Sequence, residues 1–340
     1  MTTEATRALP MARLGATGYD ITRVGLGAWA IGGGGWQGGW GPQDDAESIA
    51  AIHHAIEGGI NWIDTAPAYG LGHAEEVVGR AVREIPEGER PRVFTKCGLV
   101  WKAGERTVSN VLSPESIRRE CEDSLRRLGV DTLDLLQVHW PAEDGTPIED
   151  SWGTMAALVD EGKVRHLGVS NFEIDLLEKC EAIRHVDTLQ PQLNMLVRGP
   201  LEELLPWAQE HGTGVIVYSP MRSGLLSGAF SEERASSLAK DDWRREDADF
   251  KSPRLTANLA LVDALKPIAE RVGCTLPELT VAWVLACPGV SGAIVGARRP
   301  DQVDGWMGGA GVSLSGADLA EIAGAIKSSG AGEGPVPGRV

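Results

Sequence analysis

The chain has 340 residues, enough for one large single-core domain or two ordinary ones. Its 32 basic against 48 acidic residues give a formal net charge of −16, and no stretch clusters Lys or Arg with interleaved aromatics. That balance disfavours sequence-independent nucleic-acid binding and docking on an anionic membrane. Five widely spaced cysteines (Cys97, Cys121, Cys180, Cys274, Cys287) form no C-x-x-C pair, so neither a disulfide framework nor a cysteine-built zinc site is expected. The opening MTTEATRALP lacks the apolar core of a secretory signal, and runs such as residues 281–287 are far shorter than the roughly 20 residues that span a bilayer. The reading is a soluble, cytoplasmic chain.

Short β-branched runs alternate with amphipathic stretches from about residue 23 to about residue 308, the pattern of βαβ units and a parallel sheet. Ahead of them, residues 13–19 predict a small hairpin closing one end. The first strand is read at 23–27. Its helix begins near Asp44 and Asp45, with Glu47 placed as in a capping box and Gly58-Gly59 at its end. Strand two covers 60–64, a helix through Val77, Val78, Ala81 and Val82 follows, and strand three covers 92–96. Ser113-Pro114 puts a capping hydroxyl before a proline at the first helical position, and Gly129 closes that helix. Strands four to eight are read at 133–139, 164–169, 187–190, 214–218 and 292–295, with helices between them.

Eight such repeats fit a (β/α)₈ TIM barrel, an α/β fold of about 250 residues, with an N-terminal β-hairpin and additional C-terminal helices as extensions. One domain is expected, its core at about 13–326, followed by a flexible tail, GAGEGPVPGRV. The connection 219–257 is too long and polar for an ordinary loop. It carries seven acids and five bases between Ser231 and Ser252 and is read as a covering lid after strand seven.

Barrel chemistry belongs at the C-terminal ends of the strands, so the residue ending each apolar run is diagnostic. Strand two ends at Asp64, three at Lys96, four at His139, five at Ser170-Asn171, six at Gln190 and seven at Tyr218-Ser219, and eight runs into Arg298. With Tyr69 five residues past Asp64, this is a constellation for acid–base work. A phenol titrates near 10, and an adjacent ammonium from Lys96, held charged by Asp64, is expected to lower that value. His139 is placed to hydrogen-bond a substrate oxygen. Trp29, Trp101 and Trp140 follow strands one, three and four as walls for an apolar or ring-shaped substrate, whereas Trp152 and Trp283 lie on helical faces and read as packing. The other six histidines lie mid-helix, mid-strand or in loops, so no metal site is expected. Gly25, Gly27 and Ala30 match a dinucleotide fingerprint, but a glycine run follows where a helix should open, and the match is read as chance.

The words GLGAW, NWIDTAPAYGLGHAEEVVGRA, VFTK, LLQVHWP, EGKVRHLGVSNF, VIVYSPMRSGLLSG and AIVGARRPDQV, in this order, resemble the aldo-keto reductase family, and the resemblance runs from about residue 13 to about residue 326. It implies hydride transfer from NADPH to an aldehyde or ketone, giving an alcohol, with Asp64, Tyr69, Lys96 and His139 as the catalytic four and Tyr69 as the general acid. It also implies that Gly27, Ala28 and Trp29 lie beside the nicotinamide and that Ser170, Asn171 and Gln190 hold its carboxamide. Tyr218 would stack on the ring, Ser219, Pro220, Met221 and Ser223 would follow the pyrophosphate, and Gly296, Arg298 and Gln302 would grip the adenosine. An arginine at 298 suits a 2′-phosphate, where a carboxylate would select the free ribose hydroxyl. Two positions depart from the family pattern: Trp306 where an adenine-contacting Asn is usual, and Leu193 where Tyr is usual. Two other readings stay open, a keto-sugar reductase of a secondary pathway and a nicotinamide-binding regulatory or channel-associated subunit with little turnover.

Overall fold

Successive side chains of a strand point to opposite faces, and in this chain the residues two apart divide into a lower apolar layer and an upper polar one. Trp62 precedes Asp64 by two, Phe94 precedes Lys96, Leu135 precedes Gln137, Ile216 precedes Tyr218, and Ile294 precedes Gly296. The first member of each pair belongs to one buried cluster with Leu14, Tyr19 and Ile21. The second stands at the opposite end of the same strand interior.

The computed structural model describes residues 8–239 and 242–337. Within them eight parallel strands close into a ring in sequence order: β1 (Val24–Gly27), β2 (Trp62–Asp64), β3 (Arg92–Cys97), β4 (Leu133–Val138), β5 (Val164–Ser170), β6 (Thr188–Gln190), β7 (Gly214–Tyr218) and β8 (Val290–Gly296). Each pairs in parallel with the next, and β8 returns to β1 with Gly296 opposite Gly27. The expected (β/α)₈ barrel is therefore present.

Helices α1 (Asp45–Glu57), α2 (His73–Glu84), α3 (Pro114–Leu128), α4 (Ile148–Asp160), α5 (Ile174–Glu181), α6 (Leu204–His211), α7 (Arg254–Val272), α8 (Leu276–Ala286), α9 (Pro300–Met307) and α10 (Gly316–Ser329) accompany the ring. Their starts follow the local chemistry. The Asp44 carboxylate accepts the N–H groups of Ala46 and Glu47, the Ser113 hydroxyl accepts from Ser116 with Pro114 at the first helical position, and Gly129 takes the left-handed conformation that stops α3. A second buried cluster fills the space between the strands and the helices, including Ile52, Val77, Ile117, Trp152, Leu177, Leu265 and Trp283. Trp152 and Trp283 are thus core residues.

The hairpin of Met11–Arg13 and Asp20–Thr22 plugs the lower end. Leu14, Tyr19 and Ile21 insert beneath Trp62 and Phe94, and the Trp62 indole donates to the Thr22 carbonyl at 2.8 Å. Gly25 makes the plug possible, because a Cβ there would lie 2.2 Å from the Trp62 ring. The expected free tail is held over residues 331–335, whose carbonyls at Ala331, Gly334 and Pro335 accept from the buried Arg198 guanidinium. The first seven and last three residues, and positions 240–241 inside the expected lid, lie outside the described residues.

Candidate active site

At the upper end of the ring a cleft of about 910 Å³ opens among the strand ends. Asp64 and Lys96, inward-facing on neighbouring strands, meet beneath it. The Lys96 ammonium donates to both Asp64 oxygens, at 2.8 and 2.7 Å, and to the Thr65 carbonyl at 3.0 Å, and both side chains are almost fully buried. Its remaining contact is the Tyr69 hydroxyl at 3.5 Å. The Tyr69 ring lies edge-to-face against His139, with centroids 5.6 Å apart, and both residues line the cleft. The three strand-end residues and Tyr69, singled out by the sequence, are brought together.

The electrostatics differ from expectation in one respect. Lys96 does not lower the phenol. Its charge is committed to Asp64, while burial, followed by the charge of Asp64, raises Tyr69 well above the ordinary tyrosine value. The hydroxyl therefore keeps its proton at neutral pH. Burial and the Lys96 ammonium push His139 well below the ordinary imidazole value, so that ring is neutral. Its Nδ1 is buried without a partner. Burial draws Lys96 itself downward, with Asp64 opposing.

Most of the expected cofactor positions line the cleft: Gly27, Trp29, Asp64, Ser170, Asn171, Gln190, Tyr218, Ser219, Pro220, Met221, Ser223, Gly296, Arg298 and Gln302. Ala28 does not. It is fully buried, and its N–H donates to the Asp64 carbonyl at 2.8 Å, so it fixes β1 against β2. The Gln190 side-chain nitrogen donates to Asp64 at 2.9 Å, which leaves its side-chain oxygen Oε1 for a ligand, the backbone carbonyl being taken by the Ser170 hydroxyl. Asn171, at φ 61°, donates to the His139 carbonyl and accepts from the Tyr218 hydroxyl at 2.8 Å. Ser219, Arg222 and Ser223 also have positive φ and, with Gly224, curl the chain into a tight cradle. Arg222 reaches Asp249 at 2.7 Å and Asp247 at 2.8 Å, and Arg244 binds Asp242. At the far end Arg298 donates to the Gln43 side chain and to the carbonyls of Trp40 and Pro42, while its N–H donates to Gln302 at 2.7 Å. A cradle of left-handed residues suits a diphosphate, and a volume of about 910 Å³ is large enough for a nucleotide-sized ligand.

The tryptophans need revision. Trp29 and Trp140 line the cleft, but Trp101 does not, because its ring faces the Arg127 guanidinium 5.8 Å away. Trp36, Trp40 and Trp243 were not anticipated there. Trp243, from the long segment after β7, stacks on Trp29 at 5.6 Å, and Trp40 meets Trp29 edge-on at 5.5 Å. The available signal was a glycine run directly after strand one that carries Trp36 and Trp40. Leu193 is buried and does not line the cleft, whereas Trp306 does, with its indole nitrogen buried and unpartnered. Among the described residues no cluster of His, Cys, Asp and Glu is arranged to hold a metal ion, and no helix is long and apolar enough to cross a membrane.

Residues 23–327 match the Aldo/keto reductase family. This chain belongs to that family. It is 38% identical over 307 residues to the aldo-keto reductase YhdN of Bacillus subtilis, a match covering 90% of each chain. It is 35% identical to the NADH-specific methylglyoxal reductase of Escherichia coli, over 90% of this chain and 94% of that one. Among solved structures, the glycerol dehydrogenase AKR11B4 from Gluconobacter oxydans superposes with a TM-score of 0.86 at 38% identity, covering 96% of this chain and 98% of its own. The aldo-keto reductase AKR11C1 from Bacillus halodurans gives 0.77 at 25% identity, with 93% and 96% covered. The chain is thus an oxidoreductase of a nicotinamide-using family, and small carbonyl compounds are consistent substrates.

Proposed function

We propose that this aldo/keto reductase reduces aldehydes or ketones to alcohols with NADPH, and that Tyr69 is the general acid. The observation that carries the reading is the Tyr69 hydroxyl, kept protonated by burial, 3.5 Å from the Lys96–Asp64 pair and beside a neutral His139 on one cleft wall. When bound, the nicotinamide supplies the hydride that reaches the carbonyl carbon. Tyr69 gives its proton to the carbonyl oxygen. His139, being neutral, donates a hydrogen bond to that oxygen and orients it without adding charge. The Lys96 ammonium, 3.5 Å from the phenol oxygen, holds the hydroxyl in place for that transfer.

Asn171 and the free oxygen of Gln190 are the groups that would hold the carboxamide, and Tyr218, fixed by Asn171, would set the ring's plane. The cradle at residues 219–224 with Arg222 would take the diphosphate. The preference for NADPH rests on Arg298. Its side-chain hydrogen-bond partners are all uncharged oxygens and the Glu47 carboxylate acts on it only through space, whereas Arg299 is paired directly with Asp301.

The test is titration with NADPH and NADH by cofactor fluorescence, followed by aldehydes, ketones and keto sugars. Tighter NADPH binding is expected, with carbonyl-dependent oxidation that falls by about 10²–10⁴-fold in Tyr69→Phe while dinucleotide affinity holds. An unchanged rate in Tyr69→Phe would remove the general-acid role. Equal affinity for the two dinucleotides would remove the 2′-phosphate role of Arg298.

A further inference from the structure

The turn after β6 carries a buried cation that is bonded to no carboxylate among the described residues. The Arg198 guanidinium, 3% exposed, donates to four backbone carbonyls: Met195 within its own turn, Ala331 at 3.2 Å, Gly334 at 3.2 Å and Pro335 at 3.1 Å. A buried guanidinium is costly unless its donors are met, so the last described residues serve as the solvation shell of Arg198. The seat is close-fitting. Glu333 donates to the Leu196 carbonyl at 2.8 Å and accepts from the Arg198 N–H at 3.0 Å. Gly332 and Gly334 have φ of 67° and 94°, and a Cβ on either would stand 2.4 Å or 2.5 Å from the backbone of residues 196 or 199.

What this seat supports lies on the other side of the turn. Asn194 is fully buried, and its side-chain oxygen accepts from the Leu196 and Val197 N–H groups at 2.9 and 3.0 Å. Its side-chain nitrogen donates to the Ser219 carbonyl at 3.0 Å. Ser219 is the left-handed residue that begins the cradle at 219–224. A second, more exposed route runs from Glu333 to Arg254 at 2.6 Å, from Arg254 to Asp249 at 3.5 Å, and from Asp249 to the cleft-lining Arg222 at 2.7 Å. Exposed pairs contribute little, so the buried route through Asn194 dominates.

We propose that Arg198 and Asn194 are positioning residues for dinucleotide binding and that residues 331–335 are the strap that keeps them in place. The inference rests on the cleft being a dinucleotide site. It makes the end of the chain, some 110 residues beyond the cradle in sequence, part of the cofactor's support. The strap touches neither Tyr69 nor His139, so it sets how tightly the dinucleotide is held and leaves the proton step alone.

The test uses the full chain. Gly332→Val unseats the strap without removing a hydrogen-bonding side chain, and Asn194→Ala cuts the link to Ser219 together with the two bonds that shape the turn. Each is expected to weaken NADPH binding by about tenfold, with kcat at saturating dinucleotide and carbonyl changed by less than about twofold. The double variant should be weakened no more than either single one, since both break one route. Arg198→Met removes the buried cation as well. If it fails to fold, the other two variants decide the question. Folded Gly332→Val and Asn194→Ala proteins that bind NADPH like the parent overturn the proposal even if their melting temperatures fall, because a merely structural strap would move stability alone. A parent protein that binds neither NADPH nor NADH overturns the reading of the cleft first and this inference with it.

Discussion

Lys96 has almost no access to water, yet it holds three oxygens within 3.0 Å. A buried ammonium tolerates this only with a counter-charge, and Asp64 is the one that touches it. Asp64→Asn should therefore cost about 3–5 kcal/mol in denaturant unfolding, because it strands the cation rather than because it deletes a strong bond. Adding Lys96→Met to Asp64→Asn should return part of that loss, and a double variant no more stable than Asp64→Asn would count against the argument. The same pair explains why the phenol is not acidified. A lysine whose charge is answered by a carboxylate two strand positions above Trp62 presents Tyr69 with a nearly neutral couple, a cancellation that strand-end spacing does not reveal.

At the level of elements, α3 braces the end of β3 through one carboxyl group. Glu120 is buried and accepts the Gly98 N–H at 2.8 Å and the Ser116 hydroxyl at 3.0 Å, and burial raises its pKa to about 7 from the ordinary glutamate value of 4.5. A group raised on folding binds its proton more tightly in the folded state, so its contribution is fully present below about pH 4.5 and is lost as pH rises through 7. At 1.36 kcal/mol per pH unit the loss is about 3 kcal/mol. Glu120→Gln, which can still accept from Gly98, should flatten the stability profile between pH 5 and 7, and an unchanged slope in urea titrations at those pH values would refute the assignment. The strands and the polar residues ending them were legible because period-two alternation and strand length are local properties. The walls of the cleft were not. Trp243 meets Trp29 across more than 200 residues of chain, Trp101 turns away because Arg127 on α3 offers a cation to its ring, and Arg298 is drawn to carbonyls of the 40–43 loop. The sequence places Trp29, Trp101 and Arg298 near the mouth, but which neighbour each meets is decided by loops packing against one another.

For the molecule as a whole, the lower plug and the upper cleft are the two ends of one interior. Leu14 is fully buried in the plug cluster with Trp62 and Phe94 and does not itself line the cleft. Leu14→Ala should destabilise the chain by about 2–5 kcal/mol, the usual cost of a large-to-small change in a core. Turnover at saturating substrate should hold, and a proportional loss of kcat at a temperature where the variant remains folded would show the plug and cleft to be coupled.

The ring itself bears on how copies of this chain meet. In an open sheet the outermost strand offers a row of unmatched amide and carbonyl groups, an invitation to a strand from another molecule. Here β8 is bonded to β1, so each of the eight strands already has a neighbour on both sides. The ring can therefore meet another copy only through side chains, and on a chain of net charge −16 those surfaces repel one another unless a patch of matched shape or opposite sign brings them together.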